Sequence, residues 1–217
     1  MKITIGYFYY DLLNLYGDSG NIKALKYHLE EQKIDVEIKY LSINDKKDYD
    51  NLDMIYIGSG TEDNIKTAFN DLKKDIKQLK EFIKMKKFIL STGNSIELFG
   101  NYIISKEKEK ALGLFDYVCM HQKRIVKDVK IKTNIIDEEI IGFENHIGKV
   151  LNFDDDIIKI DNFYATYIIG PILVRNPSFC AYFIKELIIN KDKKFKFKDA
   201  NYDFDNKAYK KNINSIC

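Results

Sequence analysis

The sequence predicts an α/β fold of three layers: an open, mostly parallel sheet flanked by helices, with antiparallel strands added at its edge. Two observations predict it. In the first half, short apolar runs end in glycine-bearing turns, and helical periodicity resumes after them. In the second half, short apolar runs follow one another with little helix between them, the pattern of antiparallel strands.

Ile3 to Phe8 is a mostly apolar run and reads as a buried strand. The cluster Gly17-Asp18-Ser19-Gly20-Asn21 is a turn, and Ile22, Leu25, Leu29 and Ile34 then repeat at helical spacing, with Asp18 or Ser19 as the expected N-cap. Val36 to Leu41 is a second strand. Leu52 to Ile57 is a third, ending in Gly58-Ser59-Gly60. One long lysine-rich helix is expected to about Lys86, with Ile65, Phe69, Leu72, Ile76, Leu79 and Ile83 on a single face. Phe88 to Leu90 is a fourth strand. It runs into Ser91-Thr92-Gly93-Asn94-Ser95, and a short helix through Leu98 follows. Ile125 to Ile131, Ile140 to Phe143, Ile157 to Ile160 and Phe163 to Ile169 are the antiparallel candidates. Pro177 to Ile189 is a closing helix with proline in its first turn. Residues 191–217 read as a C-terminal edge segment and helix, with Lys191 to Lys198 a solvated edge strand. No repeat or flexible linker divides the chain, so residues 1–217 read as a single domain.

Composition excludes several classes. The net charge is only +2, from 35 Lys and Arg against 33 Asp and Glu, too balanced for a nucleic-acid binder. At 45% hydrophobic the chain can bury a core without staples. Cys119, Cys180 and Cys217 form no CxxC, so neither a disulfide framework nor a metal site is expected. No run approaches the ~18 apolar residues of a membrane span, and Asp11 and Asn14 interrupt the apolar N-terminus, so the reading is a cytoplasmic protein.

In an open α/β sheet, ligands bind beyond the carboxyl ends of the strands. Three glycine-bearing turns lie there: 17–20, 58–60 and the one around Gly93. None is followed by the GK[ST] of a phosphate loop and none is GxGxxG, so no nucleotide or other cofactor is expected.

The run Tyr10-Asp11-Leu12-Leu13-Asn14-Leu15-Tyr16-Gly17-Asp18-Ser19-Gly20-Asn21-Ile22 resembles the opening signature of the GatD family. GatD is the class I, cobyric-acid-synthase-like glutaminase subunit of lipid II isoglutaminyl synthase. Other segments are similar in family order: Ile55 to Gly60, Leu112 to Asp116, Gly142-Phe143-Glu144-Asn145-His146, Thr166 to Pro171, and Asn176-Pro177, and Asp205 to Ile216 resembles the family's terminal helix. The resemblance implies the flavodoxin-like fold of class I amidotransferases. It also implies a reaction in which a cysteine thiolate attacks glutamine's side-chain amide and a histidine serves as base and acid. The ammonia would pass to a MurT-like Mur ligase partner in a heterodimer, which amidates a peptidoglycan stem peptide.

The chain departs from that pattern at both reacting positions. The family elbow reads Ile-Cys-Gly-Gly-Tyr-Gln, two apolar residues, then Gly. Aligned on Gly100 without a gap, the cysteine slot holds Gly93; a one-residue shift would put Thr92 there. The histidine slot, before Gly170-Pro171, holds Ile169. No catalytic residue is therefore expected. The expectation is a subunit without glutaminase activity that holds a ligase partner, with a pocket that binds glutamine or another carboxylate as the alternative.

Gly58, Ser59, Gly60, Asn94 and Arg124 are the ligand-binding candidates, Arg124 because the resemblance places it at a substrate-contacting arginine. Ser91 and Ser95 are candidate substitute nucleophiles, but a serine needs an adjacent base. Cys119 and His121 would share a strand face; the plainer reading is a strand-edge thiol and an exposed imidazole. Glu144, Asn145 and His146 read as structural, Cys180 as core, and His28 and Cys217 as exposed.

Overall fold

The computed structural model describes residues 1–153, 155–198 and 202–216. Cys217 lies outside the described residues. The central sheet is built from β1 (Lys2–Phe8), β2 (Asp35–Leu41), β3 (Met54–Ile57), β4 (Phe88–Thr92), β9 (Ile157–Ile160) and β10 (Phe163–Thr166), in the order β2-β1-β3-β4-β10-β9. Every neighbouring pair is parallel except β9 with β10, which makes β9 the antiparallel edge.

Alternation along these strands fills two cores. Ile3, Ile5, Tyr7, Met54, Tyr56, Phe88 and Leu90 face one side. They pack on α1 (Ser19–Glu31), α4 (Ile172–Arg175) and α5 (Pro177–Lys191) through Leu25, Leu29, Ile172, Phe179 and Phe183. Phe8, Ile55, Ile57 and Ile89 face the other. They meet α2 (Glu62–Leu72) and α3 (Ile76–Lys84) through Ile65, Leu72, Leu79 and Phe82. Near-continuous apolar strands are what a sheet covered on both faces requires. Three layers result, as the sequence predicts.

Several details differ from the sequence reading. The long helix to Lys86 is two helices, because Lys73–Asp75 winds tighter as a 3₁₀ turn. The buried stripe accordingly moves from Ile65, Ala68 and Leu72 to Leu79 and Phe82. The short helix after β4 is also 3₁₀, Gly93–Leu98. Most of the antiparallel strands do not extend the central sheet. They form a second sheet, β11-β8-β7-β5-β6, from β5 (Tyr102–Ile104), β6 (Lys108–Lys110), β7 (Val118–Ile131), β8 (Ile140–Leu151) and β11 (Ile168–Ile169). Phe163 to Ile169 is therefore two strands, β10 and β11, one in each sheet. The break at Tyr167 carries the chain from one to the other.

Lys191 to Lys198 forms no strand. It is held by Gln32, whose side chain donates to the Lys198 carbonyl and accepts from its N–H. The closing helix α6 is Asp203–Ile213. His28, expected to be exposed, is buried beneath that segment: its ring lies 4.7 Å from Tyr202 and its Nε2 3.8 Å from Asp205.

Candidate active site

The ends of β3 and β4 meet the second sheet over a cavity of about 300 Å³. Ser59, Gly93 and Ile169 form its buried floor, while Glu62 and Arg124 stand at the exposed mouth.

Gly93 occupies the sharp turn from β4 into the 3₁₀ helix, with φ +67°. Left-handed backbone costs an ordinary L-residue roughly 1–2 kcal/mol, and glycine avoids that cost. A Cβ at position 93 would run into Ser59 Cβ and lie 3.1 Å from Ile169 Cγ2. The two side chains fill the volume a residue there would need. Thr92, the one-residue alternative, ends β4 buried, with Oγ1 engaged by Tyr56 and Asp18 and away from the cavity.

Asp18 is not the side-chain cap of α1. Asn14 Oδ1 takes the Ser19 N–H instead, at 2.8 Å. The Asp18 carboxylate turns inward, 1% exposed, and accepts from Ser59 Oγ at 2.8 Å, Thr92 Oγ1 at 3.0 Å, Tyr56 Oη at 3.3 Å and the Tyr16 N–H at 3.3 Å. Burial raises its pKa above the ordinary carboxylate range, and the bonds from Ser59, Tyr16 and Thr92 partly oppose that. This one residue ties the first turn to the ends of both β3 and β4.

The second turn is self-satisfied. Asn94 Oδ1 accepts the Gly60 N–H at 3.1 Å, and Asn94 Nδ2 donates to the Gly60 carbonyl at 2.8 Å. Ser59, Gly60, Asn94 and Arg124 all line the cavity. Gly58 does not; a Cβ there would strike the Leu13 carbonyl and Asp18, so it serves a close chain approach beneath the floor.

One wall was not read from the sequence. Glu97, 6% exposed, pairs through Oε2 with His121 Nε2 at 2.8 Å and accepts at Oε1 from Tyr167 Oη at 3.2 Å. The hydrogen bond to Glu97 raises the pKa of His121, burial opposing it. His121 and Arg124 are three residues apart, yet both reach the cavity. The register of β7 against β8 shifts between His121 and Ile125. Such a bulge re-aims side chains that a regular pleat would send to opposite faces. Arg124 donates to Asn145 Oδ1 at 2.9 Å and to Glu62 at 3.3 Å. His146 stacks on Tyr167 at 4.1 Å with Nδ1 on the Gly148 carbonyl, and its buried Nε2 has no hydrogen-bond partner, the nearest charge being Glu144 Oε1 at 3.8 Å.

Residues 4–168 match the CobB/CobQ-like glutamine amidotransferase domain, more than half of the chain. The chain belongs to this family. Two curated relatives are similar along most of their length, and both are lipid II isoglutaminyl synthase (glutamine-hydrolyzing) subunits GatD. The Streptococcus pneumoniae protein is 27% identical over 198 residues, 81% of this chain and 76% of its own. The Staphylococcus aureus protein is 28% identical over 220 residues, 92% of this chain and 90% of its own. The GatD resemblance drawn from the motifs is thereby borne out. Two solved structures share the fold. A glutamine amidotransferase is 13% identical with TM-score 0.56, over 84% of this chain and 98% of that one. The glutaminase domain of Trypanosoma brucei CTPS is 10% identical with TM-score 0.53, over 92% and 96%.

The fold places the other nucleophile candidates away from any base. Ser91 and Ser95 are fully buried and bond each other at 2.8 Å, Ser95 also reaching the Ile57 and Thr92 carbonyls. Cys119 is not at a strand edge: it is buried in β7, within the second sheet, and burial pushes its thiol up to about 12. His121 is half-buried against Glu97 rather than exposed. Cys180 is core, its thiol likewise raised by burial. No helix among the described residues is long and apolar enough to cross a membrane.

Proposed function

We propose that this chain is a GatD-type subunit that has lost glutamine hydrolysis and acts as the structural partner of a MurT-like Mur ligase. One observation carries the reading. The turn where the resemblance puts the nucleophile holds Gly93, and the volume its side chain would use is filled by Ser59 and Ile169. In a comparable nucleophile–base unit, losing a member costs roughly 10⁴ to 10⁶ in rate. Here both slots are empty of chemistry, and the Gly60 N–H that could stabilise an oxyanion is already held by Asn94.

The retained motifs support assembly. Tyr10 and Leu15 belong to the opening signature, yet both side chains stay exposed, where a core role cannot explain them. Like the relatives' complex, the assembly would serve peptidoglycan amidation, with the ligase drawing on free ammonia.

The test has two arms. Purified chain, alone and with a MurT-like ligase, is assayed for ammonia release from glutamine; release above background would sink the reading, and Ser91→Ala, Thr92→Ala and Ser95→Ala would tell whether those hydroxyls carry it. Co-purification with the ligase is expected, and a chain that never associates removes the structural role.

A further inference from the structure

The cavity over Gly93 remains open, and its chemistry is graded with depth. At the floor Ser59 Oγ is already engaged by Asp18, and the Gly60 N–H and carbonyl by Asn94. Ile169 completes the floor, and Ile65, Phe69, Leu98 and Ile103 line the sides. A carboxamide carried against these groups and Ile169 would lose its water without gaining their hydrogen bonds, which costs roughly 1–3 kcal/mol per unsatisfied group. Nearer the mouth the polarity reverses. Arg124 and His121, on either side of the β7 bulge, both line the same cavity, with Glu62 and Glu97 as their carboxylate partners.

We propose that the cavity takes a small carboxylate with an apolar chain, its anion held by His121 and Arg124 and its chain against Ile65, Phe69 and Ile169. The proposal rests on the reading that hydrolysis is lost, and it names the ligand class that replaces glutamine. A cavity of about 300 Å³ is at the small end for ligand sites, which suits a branched acid of about five or six carbons.

Glu97 is the positioning residue. Its carboxylate takes His121 Nε2, and Tyr167 Oη fixes its other oxygen. Glu97, with Glu62 and Glu109 acting in the same sense, raises the pKa of His121 and so favours its charged form. Lys66 and Lys110 line the same cavity as Arg124 and act in the opposite sense. Anion binding should therefore weaken as pH rises through the raised pKa of His121, while Arg124 stays charged.

The experiment titrates the full chain by calorimetry with isocaproate, leucine, glutamine, glutamate and inorganic phosphate. Isocaproate is expected to bind, with glutamine and phosphate at least about tenfold weaker. Equal or tighter binding of glutamine, or no binding of isocaproate, overturns the proposal. In His121→Ala the isocaproate affinity should fall by about tenfold or more. In Glu97→Gln the affinity-against-pH curve between about pH 6 and about pH 9 should move to lower pH. An unmoved curve with affinity intact removes the role of the pair. Ammonia release is read separately, so failure of this proposal and failure of the non-hydrolytic reading are told apart.

Discussion

Gly93 and Ser59 compete for one volume: a Cβ on Gly93 would lie inside van der Waals contact of Ser59 Cβ. The Ser59 side chain is anchored there by its 2.8 Å bond to buried Asp18, so it cannot swing aside without leaving that carboxylate a donor short. Restoring the reacting pair alone is thus insufficient. Gly93→Cys with Ile169→His should be destabilised by roughly 1–3 kcal/mol from overpacking, measured by urea unfolding, and should release no ammonia. Adding Ser59→Gly should relieve the clash and recover part of that stability. Equal stability of the double and triple variants would show that Ser59 is no obstacle.

The thiols give a second check. Burial pushes Cys119 up to about 12 and raises Cys180 as well, so neither forms thiolate near neutrality. In a Cys217→Ser background the native chain should show no fast reaction with Ellman's reagent, and both thiols should react in denaturant. A rapidly reacting native thiol would reopen the case for a displaced cysteine nucleophile.

How much of this was legible beforehand follows from particular residues. The central sheet was readable because buried parallel strands such as Met54–Ile57 are uniformly apolar and end in glycine turns. The second sheet was not, because the bulge between His121 and Ile125 breaks the period-two signal of β7. The helix break at Lys73–Asp75 carries neither proline nor glycine, and the apolar spacing runs straight through it. Gly93 and Ile169 were found through motif register, and the fold sets them side by side. Glu97 and His121 lie on different elements, 24 residues apart, and only tertiary structure joins them. The inward turn of Asp18 is equally invisible, since an Asp before a helix reads as a cap.

A buried ion cluster secures the loop after β2. Lys47, its side chain 3% exposed, meets Asp71 at 2.7 Å and Asp75 at 3.4 Å, and Tyr9 Oη donates to Asp71 at 3.1 Å. Removing one partner of a buried pair strands the other charge, at about 3–5 kcal/mol. Lys74 still meets Asp71 at 3.2 Å, so Lys47→Met should lower stability by less than that, about 1–3 kcal/mol in urea unfolding. Burial pushes the Asp71 pKa up, but Lys47 and Lys74 outweigh it and hold it below the usual value. A depressed folded pKa contributes stability above the unfolded pKa that is lost as pH falls through the folded one. The gap between wild type and Lys47→Met should therefore narrow as pH drops below about 4. A gap that stays constant would assign the effect to packing alone.

His28 predicts the opposite group's behaviour. Burial lowers its pKa below the ordinary histidine value, with Asp205 and Glu31 opposing. A lowered folded pKa means the neutral ring is favoured by folding. Its contribution is fully present above the unfolded value near 6.5, and is lost as pH falls from there through the folded pKa. Protonation would place a charge between the rings of Tyr27 and Tyr202, at 5.0 and 4.7 Å, where α6 docks. Loss of α6 protection in hydrogen exchange should thus begin as pH falls below about 6.5, before global unfolding. His28→Gln carries no charge at any pH and should abolish that acid-sensitive step. If α6 protection falls with pH equally in wild type and His28→Gln, the docking is governed by Asp205 and its neighbours instead.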